Sequence, residues 1–285
     1  MKILLLPVLF VGSLSVQAQY YYNDIVGTLE TNRQMQTYLA NKVKTVSAAG
    51  YTPQGSKATD FSEIQEIMEN GKALKIITIA NLNRTVYYNR FDAQNRLISI
   101  TDSVLGVESI TRYEYDKDGR IISVQNSVKD PENEIDQSEL HKWSYNKEGK
   151  PEKMWRIINS NDSLEIRFVP DEKGNPGDEI SYRKGKETDR LYYYFDEKGR
   201  ITDIVRYNEK IKQLVPDNII TYDDNGRVLQ IITSTPGDRY GKITWVGYQI
   251  WRYVYNEQGL KTAEALFNND QEMTGRIKYT YTFVQ

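Results

Sequence analysis

The sequence predicts an all-β protein: an antiparallel meander of repeated β-hairpins forming an open or rolled sheet, preceded by a short N-terminal helix. Three observations carry this. A nine-residue pattern returns along the chain, aromatic residues around it alternate with period two, and 22 tyrosines accompany a complete absence of cysteine in 285 residues.

The pattern reads Tyr113-Glu114-Tyr115-Asp116-Lys117-Asp118-Gly119-Arg120-Ile121 and Tyr193-Tyr194-Phe195-Asp196-Glu197-Lys198-Gly199-Arg200-Ile201 in its fullest copies. It returns at Trp143 to Lys150, Thr221 to Val228, Tyr253 to Leu260 and, with Asn95 in place of glycine, Phe91 to Leu97. Weaker copies are Phe168 to Gly174 and Met68 to Gly71. Asp or Asn opens a type I turn by accepting from backbone N–H groups further along. The residue three later closes it in the left-handed conformation, which Gly tolerates best and Asn next best. Flanking residues alternate, so Tyr113 and Tyr115, Trp143 and Tyr145, Tyr193 and Phe195, and Tyr253 and Tyr255 each share a sheet face. Asp116 and Arg120, Asp196 and Arg200, and Asp223 and Arg227 then stand across from one another as register pins.

These residues resemble the tyrosine–aspartate (YD) repeat of the rearrangement-hotspot proteins, whose hairpin arrays wind into hollow shells in secreted toxins and cell-surface proteins. The resemblance spans roughly residues 46 to 283 and implies hairpin architecture. The combination of leader, helical start and degenerate repeats is also similar to uncharacterised exported proteins of Bacteroidetes-type bacteria.

Three segments follow in order. Residues 1–18 read as a signal peptide: Met1-Lys2, an apolar run from Ile3 to Val11, then small residues ending at Val16-Gln17-Ala18, with cleavage expected after Ala18. The run is too short for a spanning helix, which needs about 20 apolar residues. Residues 19–45 form a helical segment: Ile25, Val26, Leu29, Met35, Tyr38 and Leu39 fall on one helical face, with Asn23 or Asp24 as cap. Residues 46–285 form the repeat domain. Within it, Asp60 to Met68 fits helix or strand, and strand is favoured because Met68-Glu69-Asn70-Gly71 occupies the turn position. Asn126 to Ser138 reads as a mobile acidic loop, and Pro236-Gly237-Asp238 opens a second long connection.

Composition narrows the function. A net charge of -2 without a basic stripe argues against a nucleic-acid partner. Without Cys there are no disulfides, thiolate metal sites or Cys nucleophiles. His141, the single histidine, reads as an ordinary strand residue, and no spacing marks catalytic partners for it. Asn159 to Glu165 and Asn268 to Glu272 offer oxygen ligands for calcium, but turn chemistry accounts for them. No metal, cofactor or catalytic residue is assigned, and the chain is expected not to be an enzyme.

The aromatic residues can build a core or a ligand platform. Burying each ring contributes about 1.5–3 kcal/mol, so most are expected inside. The rings that break the repeat, Tyr20-Tyr21-Tyr22 among them, are the ones left for function, and the candidate ligand surface is Trp143, Trp155, Trp245 and Trp251. The chain thus reads as an exported binding or scaffolding module of a bacterial envelope, periplasmic, outer-membrane-associated or extracellular, with an envelope protein or glycan as partner. Alternatives are a carbohydrate- or peptide-binding aromatic sheet, an outer-membrane β-barrel suggested by the alternation Ile277, Tyr279, Tyr281, Phe283, and an envelope hydrolase.

Overall fold

The computed structural model describes residues 20–104, 107–130, 132–209, 211–239 and 242–284, with the side chains of 104, 236–239 and 242–246 left undescribed. The expected signal peptide, residues 1–18, lies outside the described residues.

Among the described residues, one α-helix, α1 (Asn23–Ala40), leads into eighteen strands. These are β1 (Val43–Tyr51), β2 (Lys57–Met68), β3 (Ala73–Ala80), β4 (Asn83–Phe91), β5 (Leu97–Val104) and β6 (Val107–Tyr115). Then come β7 (Ile121–Asp130), β8 (Ile135–Tyr145), β9 (Pro151–Ile158), β10 (Asp162–Pro170), β11 (Pro176–Arg183) and β12 (Lys186–Phe195). The last are β13 (Ile201–Asn208), β14 (Gln213–Tyr222), β15 (Val228–Arg239), β16 (Lys242–Tyr255), β17 (Lys261–Phe267) and β18 (Met273–Phe283). Every strand pairs antiparallel with its neighbours in sequence, and β18 pairs back onto β1, with Val46 opposite Tyr281. The rolled sheet is therefore carried through to a closed barrel, which leaves no free sheet edge.

Asp60 to Met68 is strand, within β2, and Asn70 in the following 3-10 turn Glu69–Gly71 has the left-handed φ of 52°. Two expected loops are not loops. β7 and β8 run through most of Asn126 to Ser138, leaving only residues 131–134 between them. Pro236-Gly237-Asp238 lies inside β15, with Pro236 opposite Val246 on β16. In both places cross-strand pairing extends hairpins past residues that locally favour turns.

The repeated turns form one rim. At each, the Asx side chain closes its own loop: Asp116 Oδ1 accepts from the N–H groups of Asp118 and Arg120, and Gly119 N–H donates to Asp116 O. Gly119 (φ 80°) and Asn95 (φ 59°) take the left-handed conformation expected of them. The Asp–Arg register pins form, at 2.7 Å for Asp116–Arg120.

The structure adds what local reading does not show, which is that each turn also holds the next. The Arg120 guanidinium stacks 5.0 Å from the Tyr145 ring, and Tyr145 O–H donates to Ile121 O at 2.6 Å. Arg96 and Leu97 hold Tyr115 in the same way, and Arg200 and Ile201 hold Tyr222. The second aromatic of the motif is thus a clamp between successive hairpins. Replacing Tyr145 with Phe is expected to cost about 1 kcal/mol, because the Ile121 carbonyl loses its partner while the ring still packs. Urea denaturation checks this, and an unchanged midpoint would refute the clamp.

Helix α1 lies across the mouth of the barrel at this rim. Its 18 residues span about 27 Å, the scale of the opening in a barrel of this strand number. Its N-terminal end is held by β8 and β11 and its C-terminal end by β2 and the β16–β17 turn: Tyr38 O–H bonds Gln65, and Asn41 bonds Gln258 O. The three clusters under it are Met35, Tyr38, Leu74 and Leu97 at one end, Trp143, Met154 and Phe168 at the other, and Tyr193, Ile204 and Ile220 beside those. Two details differ from the amphipathic reading. Leu29 is exposed while Thr28 and Asn32 are buried: the Thr28 hydroxyl donates to Asp24 O one turn back, and Asn32 Oδ1 accepts from Leu97 N–H on the wall. Neither Asn23 nor Asp24 caps the helix; its first N–H groups bond the Tyr20, Tyr21 and Tyr22 carbonyls, and Glu179 on β11 anchors the turn just before it, accepting from Tyr21 and Tyr22 N–H at 3.0 and 2.9 Å. Where the helix ends, Gly71 (φ 85°) leaves room for Leu39, whose Cδ2 lies only 2.5 Å from where a Cβ would stand.

Candidate functional site

The four tryptophans do not form one surface. Trp143 on β8 and Trp251 on β16 point into the lumen and are 5% and 2% exposed, which removes them from an accessible platform. Both sit at even offsets from inward motif tyrosines, so the alternation that builds the repeat turns them inside. The backbone of Trp245 lies in β16 opposite Gly237, and its side chain is outside the described residues. Trp155 alone is shown on the outer wall, 40% exposed, because it alternates with Met154, which is wholly buried inside. Tyr20, Tyr21 and Tyr22 pack in the lumen beneath the helix start, with Tyr22 5.6 Å from the Tyr193 ring.

Two features around these residues have site-like geometry. On the outer wall, a shallow cavity of about 280 Å³ is lined by Trp155, Asp162, Glu165, Tyr182 and Arg183. Trp155 stands opposite Glu165, and Glu165 opposite Tyr182, so the two rings flank a carboxylate two strand spacings apart, roughly 9–10 Å. Hydrogen bonds from Arg167 and from Lys153 at 2.8 Å hold the Glu165 carboxyl down at about 2. Arg167 also covers one face of Tyr182, 4.5 Å from the ring, and Arg183 grips Asp162 at 2.6 Å. A shelf of one free indole rimmed by fixed donors and acceptors results.

In the lumen, His141 is tied on both nitrogens. Nδ1 meets Asp24 Oδ2 at 2.7 Å and Nε2 meets Glu139 Oε1 at 2.8 Å; Trp143 Nε1–H donates to the same Asp24 oxygen and Arg156 to Glu139. Burial alone would lower the His141 pKa, but the Asp24 and Glu139 carboxylates push it up to about 9. Against its own burial, bonds from His141 and Arg156 hold Glu139 at about 2. Doubly protonated and shared between two carboxylates, this imidazole has no lone pair to accept a proton. Its work is to lock the first turn of α1 to β8, a role that sequence spacing could not show because Asp24 is 117 residues away.

The Asn and Asp clusters considered for calcium spend their oxygens locally: Asn268 Oδ1 accepts from Asp270 and Glu272 N–H, and Asp162 pairs with Arg183. Among the described residues no group of three or more His, Asp or Glu is arranged to hold a metal ion, and no helix is long and apolar enough to cross a membrane.

Comparison with known proteins gives the following. Among solved structures, the chain is similar to the Tc holotoxin pore of Photorhabdus luminescens, with 14% identity over 78% of this chain and a TM-score of 0.35. It spans only 12% of that toxin chain. It is also similar to a porin-like protein from Bacteroides uniformis, with 8% identity over 85% of this chain and 97% of that one, and a TM-score of 0.39. A Bacteroides fragilis protein described as exported, with a YmcC-like fold, matches at 11% identity over 82% of this chain and 92% of its own, with a TM-score of 0.19. No curated protein matches the sequence. The RHS repeat family model matches residues 91–131, the stretch from the Phe91 turn through the Tyr113 to Ile121 motif. The chain therefore carries an RHS repeat there, and it resembles the YD-type hairpin-repeat proteins.

Proposed function

We propose that the protein is an exported, non-catalytic binding module of the bacterial envelope whose outer wall holds a glycan against Trp155. The observation that carries this is the Trp155 shelf: an exposed indole beside Glu165, Asp162 and Arg183 on a rigid sheet. An indole face packs the C–H side of a sugar ring, and fixed charged groups around it bond the hydroxyls. The leader at residues 1–18 supports export to the envelope.

The membrane-barrel reading gains from a closed, even-numbered antiparallel barrel, and the charged stretch of the outer wall over β9–β12 speaks against it. A spanning barrel needs an apolar outer band about 25 Å tall. Here Lys153, Glu165 and Arg167 alternate outward with buried Met154, Leu164 and Ile166, and Arg190 pairs with Asp178 on the same face. The hydrolase reading loses its natural base because both nitrogens of His141 are engaged.

The test is calorimetric titration of the whole chain with a panel of envelope oligosaccharides, followed by Trp155→Ala. Loss of the central aromatic is expected to weaken binding at least about tenfold. An absence of binding at millimolar concentrations, or equal binding by the variant, would overturn the assignment.

A further inference from the structure

The barrel lumen holds a second cavity, independent of the outer shelf. It measures about 510 Å³ and lies between one side of α1 and the wall of β2, β3, β17 and β18. Its floor contains Glu63, which is 5% exposed. Glu63 Oε1 accepts from Gln65 Nε2 at 2.7 Å, and Oε2 accepts from Thr78 Oγ1 at 3.0 Å. Behind Gln65 the donors continue in one direction: Gln34 Nε2 donates to Tyr38 Oη, and Tyr38 O–H donates to Gln65 Oε1 at 3.1 Å. The whole relay, which starts on the helix, points its donors at this carboxylate.

Both Glu63 oxygens are therefore placed to accept, as an ionised carboxylate does, and both partners are neutral. The described cations that line the same cavity are committed elsewhere, Arg33 to Glu30 and Arg227 to Asp223, and so is Lys261. Its Nζ lies 2.8 Å from Glu264, and 5.2 and 4.8 Å from the Tyr253 and Tyr279 rings. That box shows how the cavity receives an ammonium group: carboxylate on one side, phenol faces on the others. Glu63 has the carboxylate and, among the described residues, no cation within salt-bridge reach; Lys261 acts on it only from a distance. Buried carboxylates are ordinarily paired, and burial already presses this one upward in pKa. Beside it, Phe61, Ile76 and Ile277 give the cavity an apolar wall.

We propose that this cavity is a binding site for a small organic ammonium ion, with Glu63 as its counter-ion and Phe61, Ile76 and Ile277 receiving its carbon chain.

The experiment is isothermal titration of the full chain with n-butylammonium, and with n-butanol as the uncharged molecule of nearly the same shape. The ammonium is expected to bind and the alcohol to bind at least about tenfold more weakly, the difference expected for a hydrogen bond to a charged group. Glu63→Gln keeps the shape of the side chain and should remove that preference. Equal binding of alcohol and ammonium to the wild-type chain, absence of ammonium binding at millimolar concentration, or an undiminished preference in Glu63→Gln would each overturn the proposal. The first two readings use the unaltered protein and hold whether or not the variant folds.

Discussion

Truncating Trp143 to alanine is expected to lower the stability of the barrel by about 3–5 kcal/mol, the range for removing a large buried aromatic side chain. The ring is 5% exposed and stacks on Phe168 with centroids 5.3 Å apart and planes 23° off parallel; its β9 neighbour Met154 is wholly buried. Its Nε1–H also holds Asp24, so the same truncation loosens the first turn of α1. Cavity formation and loss of the helix anchor fall on one site and reinforce one another. Trp155→Ala, by contrast, removes a ring from the outer wall and should change stability by no more than about 0.5 kcal/mol. Urea unfolding of the two variants side by side measures the contrast. A Trp143→Ala cost below about 1.5 kcal/mol would show that the lumen is not the core.

Stability should also fall as the solution is made alkaline, in two steps. Glu179 is buried, and burial pushes it up to about 7 although Tyr21 N–H, Tyr193 O–H and Tyr22 N–H all bond it. Its folded pKa exceeds the ordinary 4.5, so the folded chain binds the extra proton. The resulting stabilisation is complete below pH 4.5 and is lost as pH rises through 7. His141 follows the same sign in a higher window: its contribution is complete below its ordinary 6.5 and disappears as pH rises through about 9. Each linkage is worth at most about 3 kcal/mol. Acid acts in the opposite direction on the turns. Despite partial burial, bonds from Arg96, Arg200 and Arg227 lower the pKa values of Asp92, Asp196 and Asp223, so their support is lost as pH falls below 3.8. The stability maximum is therefore expected on the acid side of neutrality, near about pH 5. Thermal unfolding at pH 5, 7 and 9 reads it out. His141→Gln should flatten the upper step and Glu179→Gln the lower; a wild-type chain equally stable at pH 5 and pH 9 would contradict both.

What was legible in the sequence was what is local. The Asx turn, its left-handed closing residue and the Asp–Arg pair all lie within five residues, so Asp116 to Arg120 announces its own geometry, and Asn95 could be placed in advance. The clamp of Arg120 on Tyr145 was only half visible. Arginine after four of the turns (Arg96, Arg120, Arg200, Arg227) and an aromatic before the next both recur, but stacking depends on hairpins lying side by side. Parity put Trp143 and Trp251 on one face with the motif tyrosines but did not say that this face lines the lumen, so both stood in the candidate surface from which their burial removes them, and Trp155 had no such reference. The position of α1 was not legible. A helix crossing a lumen meets backbone donors as well as apolar side chains, so Asn32 is buried on Leu97 N–H, and Thr28 is buried with its hydroxyl on the helix's own Asp24 carbonyl, where an amphipathic pattern calls for leucine. The partners of His141 and Glu63 come from distant elements, and no spacing along the chain encodes them.

The pairing of β18 with β1 sets the order of events as the chain folds. All other ladders join strands adjacent in sequence, so hairpins can form and stack early, each closing only a short loop. The last ladder joins Val46 to Tyr281 and brings together nearly the whole described length. Until it forms, β1 and β18 are both open edges able to recruit strands from another molecule. Barrel closure therefore waits until β18 is available to β1. Passage through this final step, more than the stability of any hairpin, would govern how much of the protein escapes aggregation.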